Sequence, residues 1–369
     1  MQAMRVDTRR QKQNAAMMLE KSADSPIKGR RGLGGGEARF SHFSQRYSTK
    51  LADANVFHTR FNTDAGLAAV SFFDGSLQII STMLGDQMFQ IKDEEMYYPI
   101  TSLTWRPAID DSIESQRLLG ACLNGSILRW DQSKGSSVEH IMLNQANKFH
   151  AIDYASDRRR FVVAGSQPYI EIYDEERMAR IQQIGDRIDP AHTNKIFTCR
   201  FNANAPNQLI SGGWDRQVRF WDVRANRLSA SIGGKTSISG DGVDISTDCN
   251  MVVTGGGTLG EGVKLWDLRG DLETPVCEFV WAKAPNGDIV NPIVNCVRFI
   301  PRQHDLILAG VSDDQISAKC LNARTGESVE EFTCVQGNCF SLDVCTDGAL
   351  CGFGDSEGTL HFSNINYQN

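Results

Sequence analysis

Seven segments of one form recur along the chain, and recurrence at intervals of roughly 40–50 residues is the mark of one structural unit stacked on copies of itself. Each segment reads turn residue, two residues, apolar, any, apolar, aromatic. They are Asp74-Gly-Ser-Leu-Gln-Ile-Ile80, Asn124-Gly-Ser-Ile-Leu-Arg-Trp130, Gln167-Pro-Tyr-Ile-Glu-Ile-Tyr173, Asp215-Arg-Gln-Val-Arg-Phe-Trp221, Gly260-Glu-Gly-Val-Lys-Leu-Trp266, Asp313-Asp-Gln-Ile-Ser-Ala-Lys319 and Ser356-Glu-Gly-Thr-Leu-His-Phe362. Their last positions lie about 47 residues apart on average. They align without a gap, with Arg129, Lys319 and His361 as the clearest departures.

Most rows end an alternating run, the period-2 signature of a half-buried strand. Most also follow a second apolar run across a tight Asp, Asn or Gly turn, as in Leu67 to Phe73, Leu118 to Leu123 and Leu209 to Gly213. That arrangement predicts a β-hairpin. A third strand recurs upstream of each hairpin: His58-Thr-Arg-Phe61, Ser102-Leu-Thr-Trp105, Ala151-Ile-Asp-Tyr154, Thr198-Cys-Arg-Phe201, Gly242-Val-Asp-Ile245, Cys296-Val-Arg-Phe299 and Ser341-Leu-Asp-Val344. No long amphipathic helical pattern interrupts residues 55–366. Strands grouped in this way predict an all-β chain folded as a single seven-bladed β-propeller.

Within these rows, Trp130-Asp131, Trp221-Asp222 and Trp266-Asp267, with Tyr173-Asp174 as a close variant, make the chain resemble the WD-repeat family. The resemblance runs from Asn55 to Asn369; it is strongest in the fourth repeat and weakest in the first, sixth and seventh, where Lys319-Cys320 replaces an aromatic and an acid. It implies a structural tetrad at His192, Ser211, Asp215 and Trp221. Chemically, the Trp indole N–H can donate to the Ser hydroxyl, the hydroxyl to His, and the second His nitrogen to Asp, which satisfies every buried polar group. A hydroxyl committed to Trp221 is not a nucleophile, so a hydrolase triad is set aside.

The resemblance also implies a non-catalytic protein-interaction scaffold, with partners on the rim that carries the turn before each row. The rim positions include Phe73, Leu123, Trp214 and Leu259, which are large and apolar where solvent favours polar residues. Two finer roles compete. One is a structural component of a cytoskeletal or ciliary, microtubule-associated assembly. The other is a substrate receptor of a cullin-type ubiquitin ligase, because Trp221-Asp222-Val-Arg224 and Trp266-Asp267-Leu-Arg269 resemble the W-D-x-R box of such receptors. Propellers of this family close the ring with an N-terminal strand, for which Ala38-Arg-Phe-Ser-His-Phe43 is the candidate. The expected division is a basic, Gly-rich extension over 1–37 and a propeller over 38–369, with 38–46 as the outer strand of the last blade.

Charge separates these parts. Residues 1–50 hold eleven Lys/Arg and four Asp/Glu, whereas the other 319 hold 27 against 41. The cations Arg5, Arg9, Arg10, Lys12, Lys28, Arg30 and Arg31 fit a segment that docks on an acidic surface, tubulin or another protein ahead of nucleic acid. No apolar run reaches the roughly 20 residues that span a bilayer, and no secretory h-region follows the N-terminus. The expected location is therefore the cytoplasm, with the cytoskeleton or cilium as the narrower expectation, and the ten cysteines read as reduced thiols. They form no C-x-x-C pair, and the histidines make no ligand set, so neither metal nor cofactor is expected. Gly354-Asp-Ser356-Glu-Gly358 matches a nucleophile elbow in letters, but it lies between strands where the motif requires a strand-to-helix turn. Gly233-Gly-Lys235-Thr236 lacks the leading glycine of a P-loop.

Overall fold

A computed structural model describes residues 39–91, 98–108, 116–134, 138–185, 191–234, 236–313, 316–333, 335 and 337–368. Seven four-stranded antiparallel sheets follow one another as the blades of a propeller. Blade 1 contains β2 (Val56–Phe61), β3 (Leu67–Phe72), β4 (Leu77–Ser81) and β5 (Gln87–Ile91). Blade 2 contains β6 (Ile100–Trp105), β7 (Arg117–Cys122), β8 (Ser126–Asp131) and β9 (Val138–Met142). Blade 3 contains β10 (Phe149–Tyr154), β11 (Arg160–Gly165), β12 (Ile170–Asp174) and β13 (Ala179–Ile184). Blade 4 contains β14 (Ile196–Asn202), β15 (Ala205–Gly213), β16 (Gln217–Asp222) and β17 (Arg227–Gly233). Blade 5 contains β18 (Val243–Ile245), β19 (Met251–Gly255), β20 (Val263–Asp267) and β21 (Cys277–Phe279). A small hairpin, β22 (Ala282–Lys283) with β23 (Ile289–Val290), precedes blade 6. Blade 6 holds β24 (Ile293–Ile300), β25 (Gln303–Ser312), β26 (Ala318–Asn322) and β27 (Ser328–Glu331). Blade 7 holds β28 (Cys339–Val344), β29 (Leu350–Asp355) and β30 (Thr359–Gln368).

The fourth strand of blade 7 comes from the other end of the chain. β1 (Arg39–Lys50) pairs antiparallel with β30 from Arg39 opposite Gln368 to Lys50 opposite Thr359. Its aromatics tie it to three blades. Phe43 meets Phe332 of blade 6 edge-on at 5.0 Å, and Tyr47 lies 4.8 Å from Phe362. The Tyr47 hydroxyl donates to the Thr82 carbonyl of blade 1 at 2.7 Å.

Apolar residues fall into seven clusters, each spanning the junction between two neighbouring blades. This distribution explains the sequence pattern. Both faces of a blade are covered by neighbours, so second strands such as β3, β11 and β19 read as near-continuous apolar runs, as sheets buried on both sides do.

The register corrects the seven-row alignment in two places. In blade 4, Gly212 pairs with Val218 and Leu209 with Trp221. In blade 6 the equivalent pairs are Gly310 with Ala318 and Ile307 with Leu321. The β25–β26 turn is thus two residues longer, and Leu321, not Lys319, stands where Trp221 does. In blade 7, Gly354 pairs with Leu360 and Gly352 with Phe362, so that row is one residue out and Ser363 takes the aromatic position. Lys319 and His361 therefore share the register position of Arg219, the one left open in the row. Each finds a partner across the sheet: Lys319 pairs with Glu331 at 2.8 Å, and His361 Nδ1 meets Ser48 Oγ at 2.7 Å. Arg129 is a true departure, and its Nε donates to Glu139 at 2.9 Å.

Removing β1 exposes the whole hydrogen-bonding edge of β30. A chain lacking residues 1–50 is expected to melt well below the full chain and to aggregate in size-exclusion chromatography. Removal of residues 1–36 alone should leave the melting temperature within a few degrees.

Candidate functional site

The third residue of each inner-strand quartet faces the channel, and the seven run around the ring as Arg60, Thr104, Asp153, Arg200, Asp244, Arg298 and Asp343. Acceptors thus alternate with cations over most of the circle. The inner strand of every blade has an edge with no further strand to pair with, and the acceptors close it. Asp343 takes the Phe61 N–H at 2.8 Å, Asp153 that of Phe201 at 2.9 Å, and Asp244 that of Phe299 at 2.8 Å. Thr104 Oγ1 takes that of Tyr154 at 3.3 Å. Each bond crosses from one blade to the next. The cations bridge seams as well: Arg60 Nη1 reaches back to Asp343 at 3.2 Å across the seam between blades 1 and 7, and Arg200 Nη1 meets Asp244 at 2.8 Å across the seam between blades 4 and 5.

Asp241 closes this belt from within. It accepts from Arg60 Nη2 at 2.7 Å and from Arg200 Nη2 at 3.0 Å, and it also holds Arg298. Burial alone would raise its pKa, yet the guanidiniums of Arg200, Arg298 and Arg60 hold it well below the usual carboxylate range. His58 completes the hub. Its Nδ1 accepts the Leu103 N–H at 3.2 Å, so Nε2 carries the proton toward Asp241, 3.2 Å away. Burial first, and the Arg60 charge second, push this imidazole down to about 4, so it is neutral at pH 7.

Above the belt opens a funnel of about 320 Å³. Its lining has one structural origin. Six inner strands carry a register shift near their start, which places Phe57, Thr101, His150, Phe197, Asn295 and Phe340 opposite no partner. A bulge of this kind re-aims a side chain. In blade 5 the residue at the same distance from the belt is Asp241 itself, and all seven line the funnel. The aromatic members stack outward to the rim. Phe57 lies 6.0 Å from Phe73, His150 4.6 Å from Phe197, and Phe197 5.0 Å from Trp214, whose ring carries Lys195 Nζ at 4.9 Å. Phe73 is 61% exposed and Trp214 46%.

The rim residues expected from the sequence thus separate. Phe73 lines the funnel and Trp214 stands at its lip, whereas Leu123 is half-buried and Leu259, 77% exposed, sits on the widened blade 5 turn; neither of these two lines it. The sequence reading missed the bulged residues because a bulge breaks the alternation it relied on. Their common position, three residues before the belt residue, was the available signal.

His192, Ser211, Asp215 and Trp221 meet away from the funnel. Trp221 Nε1 donates to Ser211 Oγ at 2.8 Å, Ser211 Oγ lies 2.7 Å from His192 Nε2, and His192 Nδ1 lies 2.8 Å from Asp215. His192, Ser211 and Trp221 are buried. Burial lowers the His192 pKa despite the Asp215 carboxylate. Trp266 repeats half of this arrangement by donating to Thr254 Oγ1 at 2.9 Å. A second Ser–His–Asp line, absent from the sequence reading, joins exposed Ser48 through His361 to buried Asp355, 2.8 Å from His361 Nε2. It straddles the β1–β30 pairing. Ser356 of the elbow-like segment lies between two strands, and its Oγ accepts the Asn338 N–H at 3.0 Å.

In the W-D-x-R boxes, Asp222 accepts the Ala225 N–H at 3.0 Å while Arg224 is exposed. Arg269 forms two bonds to its own Asp267, at 2.9 and 2.8 Å. The cations Arg5 to Arg31 lie outside the described residues, as does Lys235. Among the described residues no group of three or more His, Cys, Asp and Glu could hold a metal ion. Cys122, Cys199, Cys296, Cys320, Cys345 and Cys351 are buried free thiols.

Comparison with known proteins agrees with this geometry. Residues 186–222, which take in the first three strands of blade 4, match the WD domain, G-beta repeat. The chain is 29% identical over 178 residues to cross-pathway control WD-repeat protein 2 of Flammulina velutipes, covering 46% of this chain and 52% of that protein. It is 22% identical over 299 residues to the guanine nucleotide-binding protein subunit beta of Zea mays, covering 78% and 69%. It is 24% identical over 163 residues to cilia- and flagella-associated protein 52 of Mus musculus, covering 44% and 25%. The match thus spans about half the length of the first of these relatives. With the seven four-stranded blades, these findings show a seven-bladed β-propeller that carries a WD repeat in blade 4 and is similar to WD-repeat proteins.

Two outcomes test the energetics. Trp221→Ala should cost about 3–5 kcal/mol of unfolding free energy as a large core truncation. Ser211→Ala, which leaves the indole N–H and the imidazole Nε2 unpaired, should cost about 1–3 kcal/mol; both are read by denaturant titration. His58, depressed to about 4 from an ordinary 6.5, binds its proton more readily in the unfolded chain. Its contribution is complete above pH 6.5 and is lost as pH falls towards 4. His58→Asn should flatten the stability profile in that window.

Proposed function

We propose that this protein is a non-catalytic interaction scaffold whose partners dock on the face of the ring that carries the funnel. One observation carries the reading: Phe73 and Trp214 stay exposed while stacked on a second aromatic layer that is itself anchored in the channel wall. Preorganised aromatic groups with apolar area open to water are the material of binding hot spots. The belt below is occupied by its own ion pairs, and the Ser211 hydroxyl is engaged by Trp221. Neither offers an acid, base or nucleophile to a substrate.

The finer role we favour is a structural component of a cytoskeletal or ciliary assembly in the cytoplasm. It is supported by the similarity to cilia- and flagella-associated protein 52 and by the excess of cations in residues 1–50, which suits an acidic surface such as tubulin. The ubiquitin-ligase alternative is weakened by Arg269, whose guanidinium is turned onto Asp267.

Phe73→Ser and Trp214→Ser should each leave the melting temperature within a few degrees of the parent. Both should reduce recovery of partner proteins in affinity purification with quantitative mass spectrometry. A collapse of stability would place these residues in the core and remove the docking reading.

A further inference from the structure

We propose that the funnel receives one large apolar side chain from a partner segment whose flanking residues are acidic. This rests on the docking face proposed above and adds the chemistry of the ligand. Three features of the molecule fix that chemistry: the depth of the site, its closed floor and the sign of its lip.

The walls come first. Phe57, His150, Phe197 and Phe340 enter from four different blades, and the cavity of about 320 Å³ between them suits a single large side chain. The four are held by bulges in a continuous ring of strands, so the site exists before a ligand arrives. His150 is neutral, because burial and then the charges of Lys195 and Lys148 push it down to about 4. The wall thus carries no charge at neutral pH.

The floor excludes a charged tip. Asp241 is bound by three guanidiniums and His58, and Arg60 and Arg200 extend to Asp343 and Asp244. A cation or carboxylate pushed down to this level would lose its hydration and find the counter-charges already taken. An apolar or aromatic tip meets no such penalty.

The lip sets the flanks. Lys148 is exposed beside His150, and Lys195 lies over Trp214. Among the described residues neither lysine forms an ion pair. The cation-rich residues 1–50 have the same sign, so the chain's own N-terminal segment is a poor occupant. A partner segment that places Asp or Glu on either side of the anchor complements both lysines.

The probes are three synthetic peptides, Glu-Glu-Phe-Glu-Glu, Lys-Lys-Phe-Lys-Lys and Glu-Glu-Ala-Glu-Glu, titrated at low salt against the full chain with Trp214 fluorescence and NMR as readouts. The first should bind at least tenfold more tightly than either of the others. Lys148→Glu with Lys195→Glu, which reverses the charge of the lip, should reverse the order of the first two. Phe197→Ala should lose binding to the first, with Phe57→Ser as a second variant in case Phe197→Ala lowers stability. Equal or tighter binding of the Lys-flanked peptide, equal binding of the Ala peptide, or no binding of any would overturn the inference. Partner capture that fails with Trp214→Ser but is unchanged by the two charge reversals would do so as well, while leaving the docking face standing.

Discussion

A closed ring of sheets solves the edge problem at its rim only by creating another at its axis. Every innermost strand turns one unpaired row of N–H and C=O groups toward the channel, where neighbouring strands diverge and cannot form a ladder. In this chain the answer lies at one register position. Asp153, Asp244 and Asp343 reach across to the next blade and cap an N–H there, while Arg60 carries the opposite charge back to Asp343 and Arg200 spans the next seam to Asp244. Asp241 then joins three of the spokes. The acceptors are bound by donors of adjacent blades, so they hold neighbouring sheets at a fixed rotation as well as satisfying the backbone. The seven inter-blade apolar clusters supply non-directional cohesion, and the belt gives it a register.

The belt also explains how an aromatic site can remain open. Phe57, His150, Phe197 and Phe340 are residues that a regular strand would turn into an inter-blade layer. The bulges turn them inward, and each bulge forgoes a regular ladder pair at the start of its strand. The N–H groups of Phe61 and Phe201, further along two of these strands, are taken by aspartates of the preceding blade, so the strands stay anchored beyond their irregular starts. Rigidity at the floor and openness at the mouth therefore have one cause. The consequence is a preformed site, in which ordering costs on binding fall on the partner rather than on the ring.

Most of the architecture was legible from the chain because period-2 alternation and short turns write strands plainly. The blade count and the third strand upstream of each hairpin could both be read in this way, whereas the blade 4 tetrad was an expectation from the family resemblance. Register could not. The β25–β26 turn carries two extra residues, and its Ile316 imitates the apolar residue that Ala318 actually supplies, so an ungapped alignment put Lys319 in an aromatic slot. In the last blade Phe362 imitated the terminal aromatic while sitting at the place of Phe220. The funnel was half legible. Phe73 and Trp214 stood out as apolar residues beside turns, but Asp241, Arg60, Arg200 and Arg298 are separated by as many as 238 positions. No local pattern brings them together.

The two Ser–His–Asp lines show why geometry must be weighed against what else each group holds. In blade 4 the hydroxyl is bracketed by an indole on one side and an imidazole on the other, and the residues sit inside an apolar layer. Its lone pairs and proton are spent on fastening the loop before blade 4 to the blade's third strand. In blade 7 the hydroxyl is exposed, but His361 lies directly across the sheet from Ser48, and Asp355 also takes the N–H groups of Glu357 and Thr359 at 2.9 and 2.8 Å. The line thus runs from the strand donated by the N-terminal region, through the last strand, into the turn that starts it. Its members stand where the ring is closed by two distant parts of the chain, the one seam with no peptide link. A polar relay there adds directionality to a join that apolar contacts of Phe43 and Tyr47 would otherwise leave free to slide by two residues without exposing either face.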